Sequence, residues 1–231
     1  RRCGAYVTAG RARFLIDTPP EMREACLEYG IDKVDAVVLT HAHMDHVAGF
    51  DDVRRFNTLN GGVPMRCFAM PETIEAMHRI FPYISNKPNE KGLFRPMINF
   101  VEDDAFAIGS VRVERVRVEH GFPCCGYLLS EDGVRLGYVS DCHELPDAAV
   151  DRFRGVDVMV LNCLREREHP THLNLTRALD YVGRIAPRRA YFIHMCHDMS
   201  HAEYLRRLSG TCVEPAYDGL EIKLTEEEVV V

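Results

Sequence analysis

The run Thr40-His41-Ala42-His43-Met44-Asp45-His46 places three imidazoles and a carboxylate within residues 41–46. A turn can aim His41 and His43 at one metal ion while Asp45 and His46 face a second a few ångströms away. Nitrogen and carboxylate donors suit Zn²⁺, Mn²⁺ or Fe²⁺ and not Ca²⁺, which takes oxygen ligands. Further donors recur downstream: His120 follows Val118-Glu119, Asp141 follows Val139-Ser140, and His194 follows Ile193. Each closes an apolar, β-branched run, so each is expected at a strand end, where side chains can converge on one edge of a sheet. Asp17, after Phe14-Leu15-Ile16, is a candidate to hold a ligand imidazole through its other ring N–H.

The elements that must position these groups follow from the apolar pattern. A strand is expected over 11–17, and a helix from Glu21 to about Tyr29 between Pro20 and Gly30. A buried strand over 34–40 runs straight into the histidine cluster, and a helix carrying Phe50, Val53 and Phe56 starts near Val47. Residues 63–69 read as a strand, and Pro71 opens a helix with Ile74, Met77 and Ile80 at helical spacing. Residues 82–96, rich in Pro, Asn, Gly and charge, form a long loop of the kind that often acts as a lid. Strands are expected over 111–119, 126–129, 134–139, 156–161 and 190–193, with a closing strand near Leu220–Leu224. Helices are expected over 146–153, from about Leu175 to Pro187, and over 201–208. The order suits one domain, 1–231.

Composition sets limits. The chain has 231 residues, 46% hydrophobic and 27% charged, enough to bury a core without disulfides. A net charge of −7 gives no dedicated nucleic-acid surface. No stretch approaches the length of a membrane-spanning helix. The 9 cysteines are odd in number and scattered, which fits thiols in a reducing cytoplasm better than a disulfide framework. Cys124-Cys125 read as small buried residues on a strand.

The histidine–aspartate run resembles the signature of the metallo-β-lactamase superfamily. The downstream segments VEHGFPCCGYLL, GYVSDC and YFIHMCHD match the rest of that pattern in order. The resemblance implies an α/β (α+β) fold: a four-layer αββα sandwich of two mixed sheets with outer helices. It implies two divalent ions, Zn or Mn with Fe as an alternative. His120 would be the third histidine of the first ion, Asp141 the bridging carboxylate and His194 the last histidine of the second ion. HPTHLNLTRAL, at 169–179, is similar to the phosphoribosyl cyclic phosphate phosphodiesterases, in which the histidine matching His172 assists catalysis. That group often forms dimers, so a homodimer is also expected. It usually begins with a Gly-rich first strand and a cysteine cluster that holds a structural zinc. His197 matches the histidine completing that site, but the cysteines have no counterpart here, so the chain is expected to be truncated or to come from a branch without the site.

The resemblance implies hydrolysis of a small cyclic phosphate ester by a hydroxide held between two metals. His172 is the expected general acid, and Asp45 both ligates metal and orients the nucleophile. Thioester or other ester hydrolysis on the same site is a second expectation. A non-hydrolytic iron-dependent or catalytically silent relative is a third. His43 argues against oxygen-reducing diiron relatives, which usually carry glutamate there, and an intact ligand set argues against silence. Among the other histidines, His78 is expected at the surface, His201 in a structural or exposed position, and His143 and His169 more often outside a pocket than in it. Arg54, Arg55, Lys87, Lys91 and Arg95 read as a solvated face.

Overall fold

The computed structural model describes residues 1–87 and 94–224. They divide into two compact units at 111/112, each with its own apolar core, and the strands form two mixed sheets, one of five strands and one of seven to which the strand Ala105–Ile108 belongs.

In the first unit, β1 (Ala5–Ala9) and β2 (Ala12–Ile16) form an antiparallel hairpin. Helix α1 (Met22–Glu28) leads to β3 (Ala36–Val38), which lies parallel to β2. Next come α2 (Met44–Val47), a 3-10 turn at Phe50–Val53 and α3 (Arg54–Leu59). Then follow β4 (Met65–Phe68), α4 (Pro71–Ile80), β5 (Ile98–Val101) and β6 (Ala105–Ile108). The sheet runs β1-β2-β3-β4-β5 in chain order, parallel from β2 onward. Val37, Leu39, Phe50, Val53 and Met77 are fully buried in its core.

The second unit begins with the antiparallel strands β7 (Val111–Val118), β8 (Cys124–Glu131) and β9 (Val134–Val139). Helix α5 (Asp147–Phe153), β10 (Val158–Asn162), α6 (Leu175–Ile185), β11 (Arg189–Ile193), α7 (His201–Leu208) and β12 (Val213–Pro215) complete it. Strands β9 to β12 are mutually parallel, so their C-terminal ends share one edge. Helix α6 has a clear start and stop. The Asn174 side chain accepts from the Arg177 N–H at 3.0 Å, and Ala186 closes the helix in the left-handed region just before Pro187. Its buried face carries Leu175, Ala178, Tyr181, Val182 and Ile185, and each large side chain there contributes about 1.5–3 kcal/mol.

Three expectations need correction. The helix after the histidines begins at Met44 rather than Val47 and breaks into a 3-10 turn, so Asp45 and His46 sit inside a first helical turn. Residues 220–224 are not a strand: Val213–Pro215 already takes the edge of β11, and a turn at Asp218-Gly219 with Gly219 at φ 84° turns the chain away. Strands β5, β6 and β12 were absent from the expected set because runs of three or four residues carry too little periodicity. The central part of the 82–96 loop, including Lys91, lies outside the described residues. Cys124 and Cys125 are buried on β8 as expected.

Candidate metal centre

The first donor set grows from the ends of β2 and β3. Asp17 follows β2 in the left-handed region, φ 61°, a conformation Asp tolerates better than most residues. Its N–H donates to the Val38 carbonyl at 2.9 Å, and only 1% of the residue is exposed. Asp17 Oδ1 accepts from the Thr40 N–H at 2.8 Å. Asp17 Oδ2 lies 2.8 Å from both Thr40 Oγ1 and His46 Nδ1.

These contacts fix the tautomers. An ionised carboxylate only accepts, so His46 carries its proton on Nδ1 and its lone pair on Nε2. The Thr40 hydroxyl spends its proton on Asp17. It must then accept from His41 Nδ1, 2.9 Å away, which leaves the His41 lone pair on Nε2 as well. His41 Nε2 faces His43 Nδ1 at 3.0 Å, and His46 Nε2 faces Asp45 Oδ2 at 3.5 Å. His43 Nδ1 can carry a proton and donate it to His41 Nε2, but the His46 Nε2 lone pair and the Asp45 carboxylate oxygen repel unless a cation lies between them. Two ligands on a tetrahedral ion at about 2.0–2.1 Å stand about 3.4 Å apart, so this donor set fits a transition-metal ion.

The second donor set lies at the ends of β7, β9 and β11. His120 and Asp141 are buried, at 2% and 1% exposure. His120 Nδ1 donates to the Thr171 carbonyl at 2.7 Å, so its Nε2 lone pair faces Asp141 Oδ2 at 3.6 Å. The same oxygen lies 3.0 Å from His172 Nε2 and 3.4 Å from His194 Nε2. Donor atoms of His120, Asp141 and His172 fall within 4.8 Å of one another, close enough to share one ion. His194 stands in the left-handed region, φ 59°, just beyond β11.

Within the second unit, His120, Asp141 and His194 each stand just beyond a strand end. Asp17 Oδ2, expected beside a candidate ligand imidazole, meets the Nδ1 of His46. His172, expected near the donors, touches Asp141 directly. His169 was expected outside the pocket, but its Nδ1 lies 3.1 Å from His172 Nδ1 and 3.2 Å from Thr171 Oγ1. Burial, then the charges of His172, Arg165 and His194, hold His169 below the usual histidine range, so it favours the neutral form. His78 and His201 are exposed as expected. The His197 side chain is 98% exposed, 3.9 Å from Asp198 Oδ1. Arg54 pairs with Asp51 at 2.9 Å and lies over the Phe94 ring.

Three positions escaped sequence reasoning: Thr40, Thr171 and Asn162. Thr40 and Thr171 precede histidines, which is a weak signal. Asn162 had a better one, a lone polar residue closing the buried run Val158–Asn162.

The sequence model described as the β-lactamase superfamily domain matches residues 12–195, so the chain belongs to that superfamily and has the metallo-β-lactamase fold. Its two mixed sheets with helices are those of the superfamily's α/β sandwich. A crystal structure described as a new diphosphatase from the PhnP family is similar at 31% identity and a TM-score of 0.85, covering 97% of this chain and 85% of that one. An octanoyltransferase of Porphyromonas gingivalis is 30% identical over 96% of this chain and 44% of its own length. A ribonuclease Z of Deinococcus radiodurans is 27% identical over 55% of this chain and 48% of its own. The chain thus spans about half the length of these two curated relatives. No helix among the described residues is long and apolar enough to cross a membrane.

Proposed function

We propose that this domain is a binuclear, metal-dependent phosphodiesterase acting on a small cyclic phosphate ester of the phosphoribosyl type. By the superfamily resemblance, His41, His43 and His120 would hold one divalent ion and Asp45, His46 and His194 the other, with Asp141 as a ligand common to both. Zn²⁺ or Mn²⁺ is the expected metal, with Fe²⁺ as an alternative. The observation that carries the reading is the opposed lone pairs: the buried imidazoles of His46 and His120, anchored at Nδ1, turn Nε2 toward carboxylate oxygens. The likeness to a diphosphatase supports phosphoryl chemistry.

When bound, the ions supply Lewis acidity at the phosphoryl group and bring the pKa of a water toward neutrality. The chain supplies the rest. Asp45, half-buried beside His46, orients the attacking oxygen. His172, 13% exposed and 3.0 Å from Asp141, gives a proton to the leaving alkoxide, a role typically contributing about 10²–10⁴-fold. The partner is a small molecule, with no dedicated nucleic-acid surface and no membrane contact. By similarity to the phosphodiesterase group the reading includes a homodimer. Buried thiols such as Cys67, Cys142 and Cys163 suit a cytoplasmic location.

The test is metal analysis coupled to a substrate panel with Zn²⁺ and Mn²⁺ supplied separately. The panel comprises a cyclic ribose phosphate, an aryl phosphodiester, a nucleoside diphosphate derivative, an octanoyl thioester, a β-lactam and a structured RNA. The cyclic phosphate is expected to give the highest kcat/KM. Preference for the thioester or the RNA would overturn the proposal.

A further inference from the structure

Asn162 ends β10, the strand between β9, which leads to Asp141, and β11, which leads to His194. The register pairs Leu161 with Val139 and Asn162 with Ile193, so Asn162 occupies the middle of the edge on which those two donors stand. It contributes no ligand and is fully buried. Its Oδ1 accepts from the Leu173 N–H at 2.8 Å, while its Nδ2 has no hydrogen-bond partner among the described residues. Leu173 closes the loop that carries His169, Thr171 and His172. The Thr171 carbonyl fixes the His120 tautomer at 2.7 Å, and the Thr171 hydroxyl lies 2.9 Å from His172 Nδ1.

We propose that Asn162 is a positioning residue: through the Leu173 N–H it clamps the 169–173 loop, and through that loop it sets the His120 ring for metal binding and the His172 ring for proton transfer. The inference rests on the functional reading above for what the two histidines do, but the clamp itself can be examined without metal or substrate. A buried amide donor left unfilled is costly, and an isosteric apolar side chain would avoid that cost. The acceptor, not the donor, is therefore what the position supplies. Aspartate keeps an acceptor at that point, while leucine fills the volume and removes it.

The experiment compares wild type, N162D and N162L as metal-free and zinc-loaded proteins. By NMR, the hydrogen-bonded ring N–H of His120 and the Leu173 amide are expected to be protected from exchange in wild type and N162D. Both are expected to lose protection in N162L, and zinc affinity in N162L to fall about 10–100-fold, the usual effect of losing an outer support. Should N162L fail to fold, the Leu173 amide of the wild type still decides: protection above that of solvent-exposed loop amides supports the clamp, and exchange at the exposed-loop rate overturns it. Wild-type protection and zinc affinity in N162L would overturn it too, as would equal losses in N162D and N162L. A clamp that holds while the substrate panel fails would leave the positioning role standing and count against the phosphodiesterase reading alone.

Discussion

Asp17→Asn isolates the anchor of the first donor set. Asparagine tolerates the left-handed backbone at φ 61° about as well as aspartate, so strain changes little. What changes is that one carboxylate oxygen becomes an NH₂ group. If that group replaces Oδ1, it confronts the Thr40 N–H, and a buried backbone donor loses its acceptor at a cost of about 1–3 kcal/mol. If it replaces Oδ2, it confronts the Thr40 hydroxyl and His46 Nδ1–H. The hydroxyl then turns to accept from the amide and offers its proton to His41 Nδ1. His41 and His46 both move their protons to Nε2, the nitrogens that would bind metal. Loss of such support typically lowers affinity about 10–100-fold, and with two imidazoles affected we expect the upper end, about 2.7 kcal/mol. Urea unfolding of the metal-free protein reads the first cost, and zinc competition against a chelator reads the second. A variant within about 0.3 kcal/mol in stability and twofold in affinity would refute the tautomer argument.

Asp141 and His172 are in contact, so His172→Ala separates proton donor from ligand: turnover is expected to fall about 10²-fold or more with metal content retained, and metal loss would make His172 a ligand. Asn174→Ala removes the cap of α6 and should cost about 1 kcal/mol in denaturant unfolding, an unchanged midpoint contradicting the cap. Burial raises the thiols of Cys26 to about 11 and Cys163 to about 12. Below about pH 9 the full benefit of keeping these protons is present, and it is lost as pH rises through the folded values. Stability should therefore decline from about pH 9 toward 12, and Cys163→Ala should flatten that decline in pH-dependent unfolding curves.

Much of this was legible in the sequence because the relevant signals were local. His41 to His46 announce metal chemistry by composition alone, and His120, Asp141 and His194 are marked by the apolar runs they close. Helices α6 and α7 lie where the apolar spacing and Pro187 put them, and the structure adds the caps, Asn174 and Ser200, that start them. The break after Val47 was invisible because Phe50, Val53 and Phe56 satisfy helical spacing whether or not the backbone tightens into a 3-10 turn. His169 and Asn162 depend on how a loop folds against neighbouring strand ends, which no spacing rule encodes. The chain of contacts from Asp17 through Thr40 to His41 needs hydrogen-bond directions, and only the folded structure supplies those.

The most direct measurement is metal stoichiometry on the wild-type chain and on Asp141→Ala after equilibration with Zn²⁺ and dialysis. Two ions per wild-type chain and a sharp loss in the variant are predicted, since the Asp141 carboxylate lies against three imidazole nitrogens. A wild-type chain that retains no metal, or a variant that still holds two ions, would contradict the account.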